Sequence, residues 1–344
     1  MPRSRGASTK KHSQLPPLTS LGEFGLIGYF SSLLGKYSTN NIIKSIGDDA
    51  AVMRNGKNSV LVFTTDALVE NVHFNFRFDD PYSIGWKSIV ASLSDIAAMN
   101  ANPLCAVITI AIPPKTSSDV LVSLYKGVYE AAKIYGCPVV GGDTAASPSG
   151  IFISVAAIGT AAKKAITYRS GAKPGDIVCV TNDLGRAYAA LKVLQSEKKT
   201  GNAFPARLLQ KHARPAPQFK ALDNLRKARI TPNSMIDISD GLSSELWHIA
   251  KQSGVRIEID KDAIPIHPAT KQCAKSFSED PIMWALQSGE EYELLFTVSP
   301  RYKKTVSSLK GVAIIGEVKK GNGVWAVSRR SKNEKLPVTG YRHF

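Results

Sequence analysis

The stretch SIGWKSIVASLSDIAAMNANPLCAVITIAI, residues 83–112, holds two elements back to back. Ser83 to Met99 spaces its apolar residues as a helix does. Cys105 to Ile112 is an apolar, β-branched run that predicts a buried strand. The pattern continues outward in both directions. Val60 to Thr65, Pro138 to Gly141 and Ile151 to Ile158 read as strands, and Glu23 to Leu34 and Ser117 to Tyr135 as helices. Strands alternating with helices define an α/β (α+β) chain with substantial sheet. Beyond a turn-rich segment at 170–176, Ile177 to Thr181 reads as a strand, and Gly185 to Leu194 and Ser243 to Ser253 as helices. Ile282 to Leu286, Leu294 to Val298 and Val312 to Ile315 supply further core, and no solenoid-type repeat is present.

With 344 residues the chain suits two domains. The expected division is a flexible basic tail over 1–20, an N-terminal domain over 21–162 and a C-terminal domain over 163–344. The break falls where the charge changes. Residues 1–160 carry 13 Lys/Arg against 11 Asp/Glu, whereas 161–344 carry 31 against 17, so nearly all of the net +16 sits in the second part. Such a charge suits a polyanion partner, yet the basic residues are dispersed and no nucleic-acid recognition motif accompanies them. The tail lacks the apolar segment of a signal peptide, and no run reaches membrane-spanning length. Four scattered cysteines without a C-x-x-C pair exclude a disulfide scaffold and a sequence-local zinc site. The expectation is a cytoplasmic protein that uses neither membrane nor nucleic acid.

The acids recur in one setting. Asp49 follows Gly47-Asp48, Asp66 follows Thr64-Thr65 at the end of a predicted strand, and Asp143 follows Gly141-Gly142 at the end of another. Asp237 and Asp240 frame Ile238-Ser239 before Gly241. Aspartates beside glycine at strand ends can approach a ligand closely, and carboxylates suit hard cations. Taken singly, each is more often a turn or helix cap. Asp95 stands apart, because an acid inside the apolar run Ile89 to Met99 needs a cation or donors. No P-loop, protein-kinase, G-x-G-x-x-G or G-x-S-x-G signature is present, so a nucleotide enzyme here would have to work through acids and metals.

The ordered blocks GEFGLI (22–27), GDDAAV (47–52), TTDALVENVHF (64–74), SDIAAM (94–99), GGDT (141–144), RSGAKPGD (169–176), IDISDGL (236–242), GEEYELLFTV (289–298) and GYRHF (340–344) resemble the thiamine-monophosphate kinase family. That family belongs to the aminoimidazole ribonucleotide synthetase-like superfamily of ATP-using enzymes. The resemblance implies a two-domain fold whose N-terminal sheet pairs across a homodimer. It implies phosphorylation of thiamine monophosphate by ATP with several Mg²⁺ ions. Carried over by position, the metal ligands are Asp49, Thr64, Thr65, Asp66, Asp95, Asp143, Asp237 and Asp240. ATP would meet Tyr125, Gly142, Asp143, Arg169 and Ser239, and the acceptor would meet His73, Glu290 and Tyr341.

The chemistry asks for such a set. Phosphoryl transfer rests on positioning and charge neutralisation, and an acceptor that is already an ionised phosphate needs no general base. No catalytic side chain is therefore expected, and His73 reads as a binder. Arg169 offers planar donors to phosphate, with an ordinary surface residue as the competing reading. Departures from the family pattern are few. Asn71, Asn100 and Asn182 replace glycines and predict left-handed backbone. Glu291 replaces an Asp, and Ala145 and Ser147 alter the loop after GGDT. Val338 occupies an aromatic's place, for which Tyr341 or Trp325 could substitute. Two alternatives stand beside this reading. One is a superfamily relative with another acceptor, such as a selenophosphate-synthetase-like enzyme, whose expected early Cys is missing here. The other is a basic nucleic-acid-binding protein.

Overall fold

A computed structural model of the chain describes residues 18–34, 39–196, 206–327 and 333–341. Most of the predicted tail and the last three residues lie outside them. The chain divides into two units. In the first, helix α1 (Leu18–Leu34) begins before the tail's expected end, and Gly22 (φ 62°, ψ 176°) breaks it into two helical stretches.

The second unit contains two sheets. The first is built from β1 (Ile42–Lys44), β2 (Ala51–Asn55), β3 (Ser59–Val69), β4 (Asn102–Ile112), β5 (Val139–Ala146) and β6 (Phe152–Ala162), in the order β1-β2-β3-β6-β4-β5. All neighbours pair antiparallel except β4 and β5, which α3 (Ser118–Tyr135) connects as a parallel crossover. Alternation along β3 turns Val60, Val62, Thr64 and Leu68 inward, onto the helix α2 (Pro81–Ala98).

The second sheet has seven strands: β7 (Ile177–Thr181), β8 (Ser234–Asp237), β9 (Arg256–Asp260), β10 (Leu294–Val298), β11 (Val312–Lys319), β12 (Gly323–Val327) and β13 (Glu334–Lys335). Their order is β13-β12-β9-β11-β7-β10-β8, with only β12 and β9 parallel. The antiparallel ladders make this the α+β arm of the expected class. Among the helices here are α4 (Arg186–Gln195), α5 (Ala206–Ala213), α6 (Phe219–Lys227), α7 (Leu242–Ser253), α8 (Pro268–Phe277), α9 (Pro281–Gln287) and α10 (Lys303–Ser308). Strand β7 is buried on both faces. Val178 and Val180 join a core with Leu242, Leu246 and Ile249 of α7, while Ile177 and Cys179 join another with Leu222 and Leu225 of α6. This is why its sequence is uniformly apolar and does not alternate.

Helix α2 ties the two sheets together. Asp80 caps it by accepting from the Ser83 amide at 2.9 Å, and Pro81 fills its first turn. From Ser83 to Ala98 every residue except Asp95 is buried, so the helix is enclosed on all sides. Its middle lies in the core of the first sheet, and Ala97 and Ala98 lie in a core of the second. Close approach to α3 depends on two glycines. A Cβ on Gly85 would sit 1.9 Å from the Leu124 carbonyl oxygen, and one on Gly127 1.9 Å from that of Tyr82.

Two predicted strand ends move. Strand β3 continues through Asp66 to Val69, paired residue for residue with β6, and β5 continues through Asp143 to Ala146, paired with β4. Asp66 and Asp143 are therefore mid-strand residues. The polar and glycine residues that signalled an end are held in ladders by their neighbours. The three asparagines do take left-handed backbone, at φ 64°, 55° and 45° for Asn71, Asn100 and Asn182.

Gly85→Ala tests the helix contact. Helix propensity alone favours the change by about 1 kcal/mol. The expected result is nevertheless a loss of about 3 kcal/mol or more, because the obstacle is backbone and has nowhere to go. Urea denaturation measures it, and an unchanged midpoint would refute the packing argument.

Candidate active site

The acidic motifs converge from both sheets. Carboxylate oxygens of Asp49, Asp95 and Asp237 lie within 4.8 Å of one another. Asp49 comes from the loop before β2, whose turn Gly47 makes at φ 114°, Asp95 from α2, and Asp237 from the end of β8. Asp66, on β3, is electrostatically joined to the group, and Asp240 adjoins Asp237. Local donors orient the carboxylates. Ser94 Oγ donates to Asp237 Oδ2 at 2.6 Å, and Thr64 Oγ1 donates to Asp95 and to the Asp49 carbonyl oxygen. The adjacent Asp48 is a loop organiser. It accepts from the Arg169 amide at 3.0 Å and pairs with Lys44 at 3.3 Å.

Arg169 brings a cation to the acids. Its Nε and Nη2 both donate to Asp49 Oδ1, at 2.9 and 2.5 Å. It is an ion-paired, partly buried residue, which removes the plain-surface reading. One arginine does not balance so many acids. Burial pushes Asp49 up to about 7 against the pull of Arg169, with Asp237 and Asp48 adding to the rise. Burial likewise lifts Asp66 and Asp237 to about 6, and it holds Asp95 well above the carboxylate range, helped by Asp66, Asp237 and Asp49. Asp49 Oδ2 and Asp66 Oδ2 are buried with no hydrogen-bond donor. Buried, partnerless carboxylate oxygens in a convergent set suit a hard divalent cation.

The segment after α9 forms the other wall. Glu290 donates its amide to the Ser239 carbonyl oxygen at 2.8 Å, and Tyr292 donates its own to that of Ile238 at 2.9 Å. Both residues have left-handed backbone, at φ 56° and 50°. For a bulky aromatic residue that geometry is a strain of order 1–3 kcal/mol, kept only where the surroundings enforce it. Lys87 of α2 reaches Glu290 Oε2 at 2.8 Å, and the His212 ring lies 3.9 Å from the same oxygen while contacting Asp79 at 2.8 Å. Glu291 caps α4 by accepting from the Ala187 amide at 3.1 Å. Glu293 accepts from Lys211 at 2.5 Å and from Thr181 at 2.5 Å. Burial, reinforced by Asp240, also raises Glu245 well above its usual range, and Glu245 accepts from the Asp240 amide at 3.0 Å.

Sequence-predicted residues fall into two places. Asp49, Thr64, Asp66, Asp95, Asp237, Asp240, Arg169, Ser239 and Glu290 gather around the acids. His73 and Tyr341 stand together, rings 6.5 Å apart, and the Tyr341 amide donates to Asp240 O. Trp325 lies under Arg256 at 4.4 Å. By contrast Asp143 and Gly142 are exposed on the edge strand β5, two strands beyond the neighbour of β3, or about 14 Å from it. Thr65 alternates with buried Thr64 and faces the opposite side of the sheet. Tyr125 is an exposed residue of α3. A Cβ on Gly142 would sit 1.9 Å from the Ile108 carbonyl oxygen, so the backbone approach this glycine serves is that of β4. Lys87 escaped the sequence reading although it carried the signal that picked out Asp95, a charge within an apolar helix.

The chain matches the AIR synthase related protein N-terminal domain over residues 47–161 and the corresponding C-terminal domain over 173–327. Fold and acidic site thus define a two-domain protein of the AIR synthase related class. Curated thiamine-monophosphate kinases resemble it along most of its length. That of Pyrococcus horikoshii is 39% identical, over 87% of this chain and 91% of its own, and that of Aquifex aeolicus is 35% identical, over 95% and 99%. The solved structure of AaThiL complexed with AMPPCP and TMP is 34% identical with a TM-score of 0.85, and it covers 96% of this chain and 100% of its own. The chain belongs to the thiamine-monophosphate kinase family.

The raised acids bind protons more tightly folded than unfolded, so the stability they allow falls as pH rises from about 4 to about 7. A divalent cation at the cluster reverses that loss. Mg²⁺ should therefore raise Tm much more at pH 8 than at pH 5. Asp95→Asn should raise the Tm of chelator-treated protein at pH 8 and shrink the Mg²⁺ increment. Differential scanning fluorimetry reads both, and an increment independent of pH would count against the cluster as the cation site.

Proposed function

We propose that the chain transfers the γ-phosphoryl group of ATP to thiamine monophosphate, giving thiamine diphosphate and ADP. The observation that carries this reading is the buried convergence of Asp49, Asp95 and Asp237, with Asp66 beside them, from two sheets onto one spot. Two phosphate-bearing substrates repel each other, and a chain that brings acids together at such a site needs cations between acids and phosphates. Asp49, Asp66, Asp95, Asp237 and Asp240 are the residues that would hold Mg²⁺. Bound there, the ions would supply charge neutralisation of the phosphates in the transfer.

The chain's own groups complete the reading. Arg169 offers its guanidinium beside the acids. The His73 ring accepts the Val69 amide on Nδ1 at 3.0 Å, which puts the proton of a neutral ring on Nε2 and makes that edge a donor. Glu290, steadied by Lys87, and Tyr341 bound the acceptor side. The acceptor oxygen is already ionised. It attacks the γ-phosphorus, the bond from that phosphorus to the β,γ-bridging oxygen breaks, and ADP leaves with the electron pair, so no side chain must take a proton.

The reading includes a homodimer formed through the first sheet. Every residue of the edge strand β5 is exposed, as are the apolar Phe63, Val107, Val140 and Phe152, and Thr65 and Asp143 share that outer side. A cytoplasmic location suits the four free cysteines. Among the described residues no helix is long and apolar enough to cross a membrane.

Purified protein given ATP, Mg²⁺ and thiamine monophosphate should form thiamine diphosphate and ADP in equal amounts, measured by chromatography. ATP hydrolysis that ignores thiamine monophosphate would sink the reading. Asp66→Asn should keep the fold by circular dichroism and lower turnover about 100-fold or more, the scale of losing a charged group from a phosphoryl-transfer site.

A further inference from the structure

The two residues that the resemblance places on the acceptor, His73 and Glu290, stand far apart in the chain, and one run of polar side chains links the loop of the first to the second. It begins after β3. Asp79 Oδ2 accepts from the Asn75 amide at 2.8 Å, and the Asn75 side chain donates to Asn71 Oδ1 at 2.9 Å. The His73 amide donates to Val69 O at 2.9 Å within the same loop. The other oxygen of Asp79 meets His212 Nε2 at 2.8 Å, and because a carboxylate only accepts, Nε2 is the donor. Across the ring, Nδ1 faces Glu290 Oε2 at 3.9 Å, and Lys87 Nζ reaches that same oxygen at 2.8 Å. Asp79, Lys87 and His212 are all buried. Their supports are fixed in turn. Lys211, next to His212 on α5, pairs with Glu293 at 2.5 Å, and Trp86, next to Lys87 on α2, donates to Pro215 O at 2.8 Å. Glu290 keeps a side chain 27% exposed, and among the described residues the contacts of its carboxylate all fall on Oε2. A half-open carboxylate on a flexible stem loses rotational freedom when one oxygen is held, and the other is then presented in one direction.

We propose that Lys87 and His212 are positioning residues for the acceptor: they hold Glu290 by Oε2 so that Oε1 meets thiamine monophosphate, and through Asp79 they set that carboxylate against the loop carrying His73. This rests on the kinase reading above and deepens it, since none of Asp79, Lys87 and His212 is in the set that the resemblance assigns. Neither positioning residue touches a reacting atom, and no bond or proton changes at them in the transfer. A carboxylate oxygen attracts the cationic thiazolium ring of the acceptor and repels a triphosphate. Loss of its positioning is therefore felt by thiamine monophosphate and not by ATP.

Lys87→Met keeps most of the side chain's length and removes its charge. The expected result is a KM for thiamine monophosphate higher by about 10-fold or more, the scale for a hydrogen bond to a charged group, with the KM for ATP within about twofold of wild type. His212→Gln keeps a donor for Asp79 and loses the nitrogen that faces Glu290, so it should move the same KM in the same direction, by less. In a Glu290→Gln background, Lys87→Met should change the KM for thiamine monophosphate by less than about twofold, because the carboxylate it held is already gone. A merely structural role would raise both KM values together and would add in the double variant. Either of those patterns overturns the proposal, as does a KM for thiamine monophosphate that neither single variant changes. Should Lys87→Met fail to fold by circular dichroism, the two KM values of His212→Gln decide on the same terms. A wild-type protein with no thiamine-monophosphate-dependent turnover would instead defeat the kinase reading itself, which separates the two failures.

Discussion

Burial of four neighbouring carboxylates, Asp49, Asp66, Asp95 and Asp237, with their mutual repulsion added to it, is the constraint around which this molecule is arranged. Four carboxylates in one enclosed place is a costly arrangement, visible in acids lifted to between about 6 and 7 and in oxygens with no donor. The surroundings reduce the cost without removing it. Arg169 meets Asp49, Ser94 meets Asp237 and Thr64 meets Asp95. What is left over is a standing demand for positive charge, and that demand is the chemical content of the site.

To hold like charges together the scaffold must be stiff, and helix α2 provides the stiffness. It is enclosed from Ser83 to Ala98, open only at Asp95, and it carries Lys87, Ser94 and Asp95 to three different partners. Of those partners, Asp237 ends β8 of the second sheet and Glu290 lies in the segment that leads into its β10. The acidic site therefore cannot form unless both sheets pack on one helix. The segment Glu290 to Glu293 closes the arrangement from the other side, with Glu291 capping α4, Tyr292 in the core of the first sheet and Glu293 gathering Lys211 and Thr181.

Much of this was legible in the order of residues. Periodicity placed the long helices and the central strands, because burial on one or both faces leaves a direct imprint on the sequence. The three asparagines in glycine positions announced their left-handed backbone, which few other side chains tolerate. Strand ends were less legible. Thr64 to Asp66 and Gly141 to Thr144 look like terminators locally, yet ladder bonds to β6 and β4 carry the chain through them. Lys87 shows a different failure. The sequence shows a charge in an apolar helix, but its partner is 203 residues away and no local pattern names it.

Taken by itself, the sequence determined the class of fold, the acids with their flanking glycines, and the family to which their order belongs. These depend on residue type and spacing, and both are local properties. Only the tertiary structure decided which acids share one site. Asp49, Asp95 and Asp237 meet because two sheets pack on α2, while Asp143, in an equally suggestive motif, lies on an exposed edge strand about 14 Å from β3. It also decided that Glu290 and Tyr292 adopt left-handed backbone, a conformation that their residue types disfavour and that only hydrogen bonds to a loop some fifty residues earlier enforce. Spacing along a chain cannot encode distance across it, and in this protein the chemistry is set by the distance across.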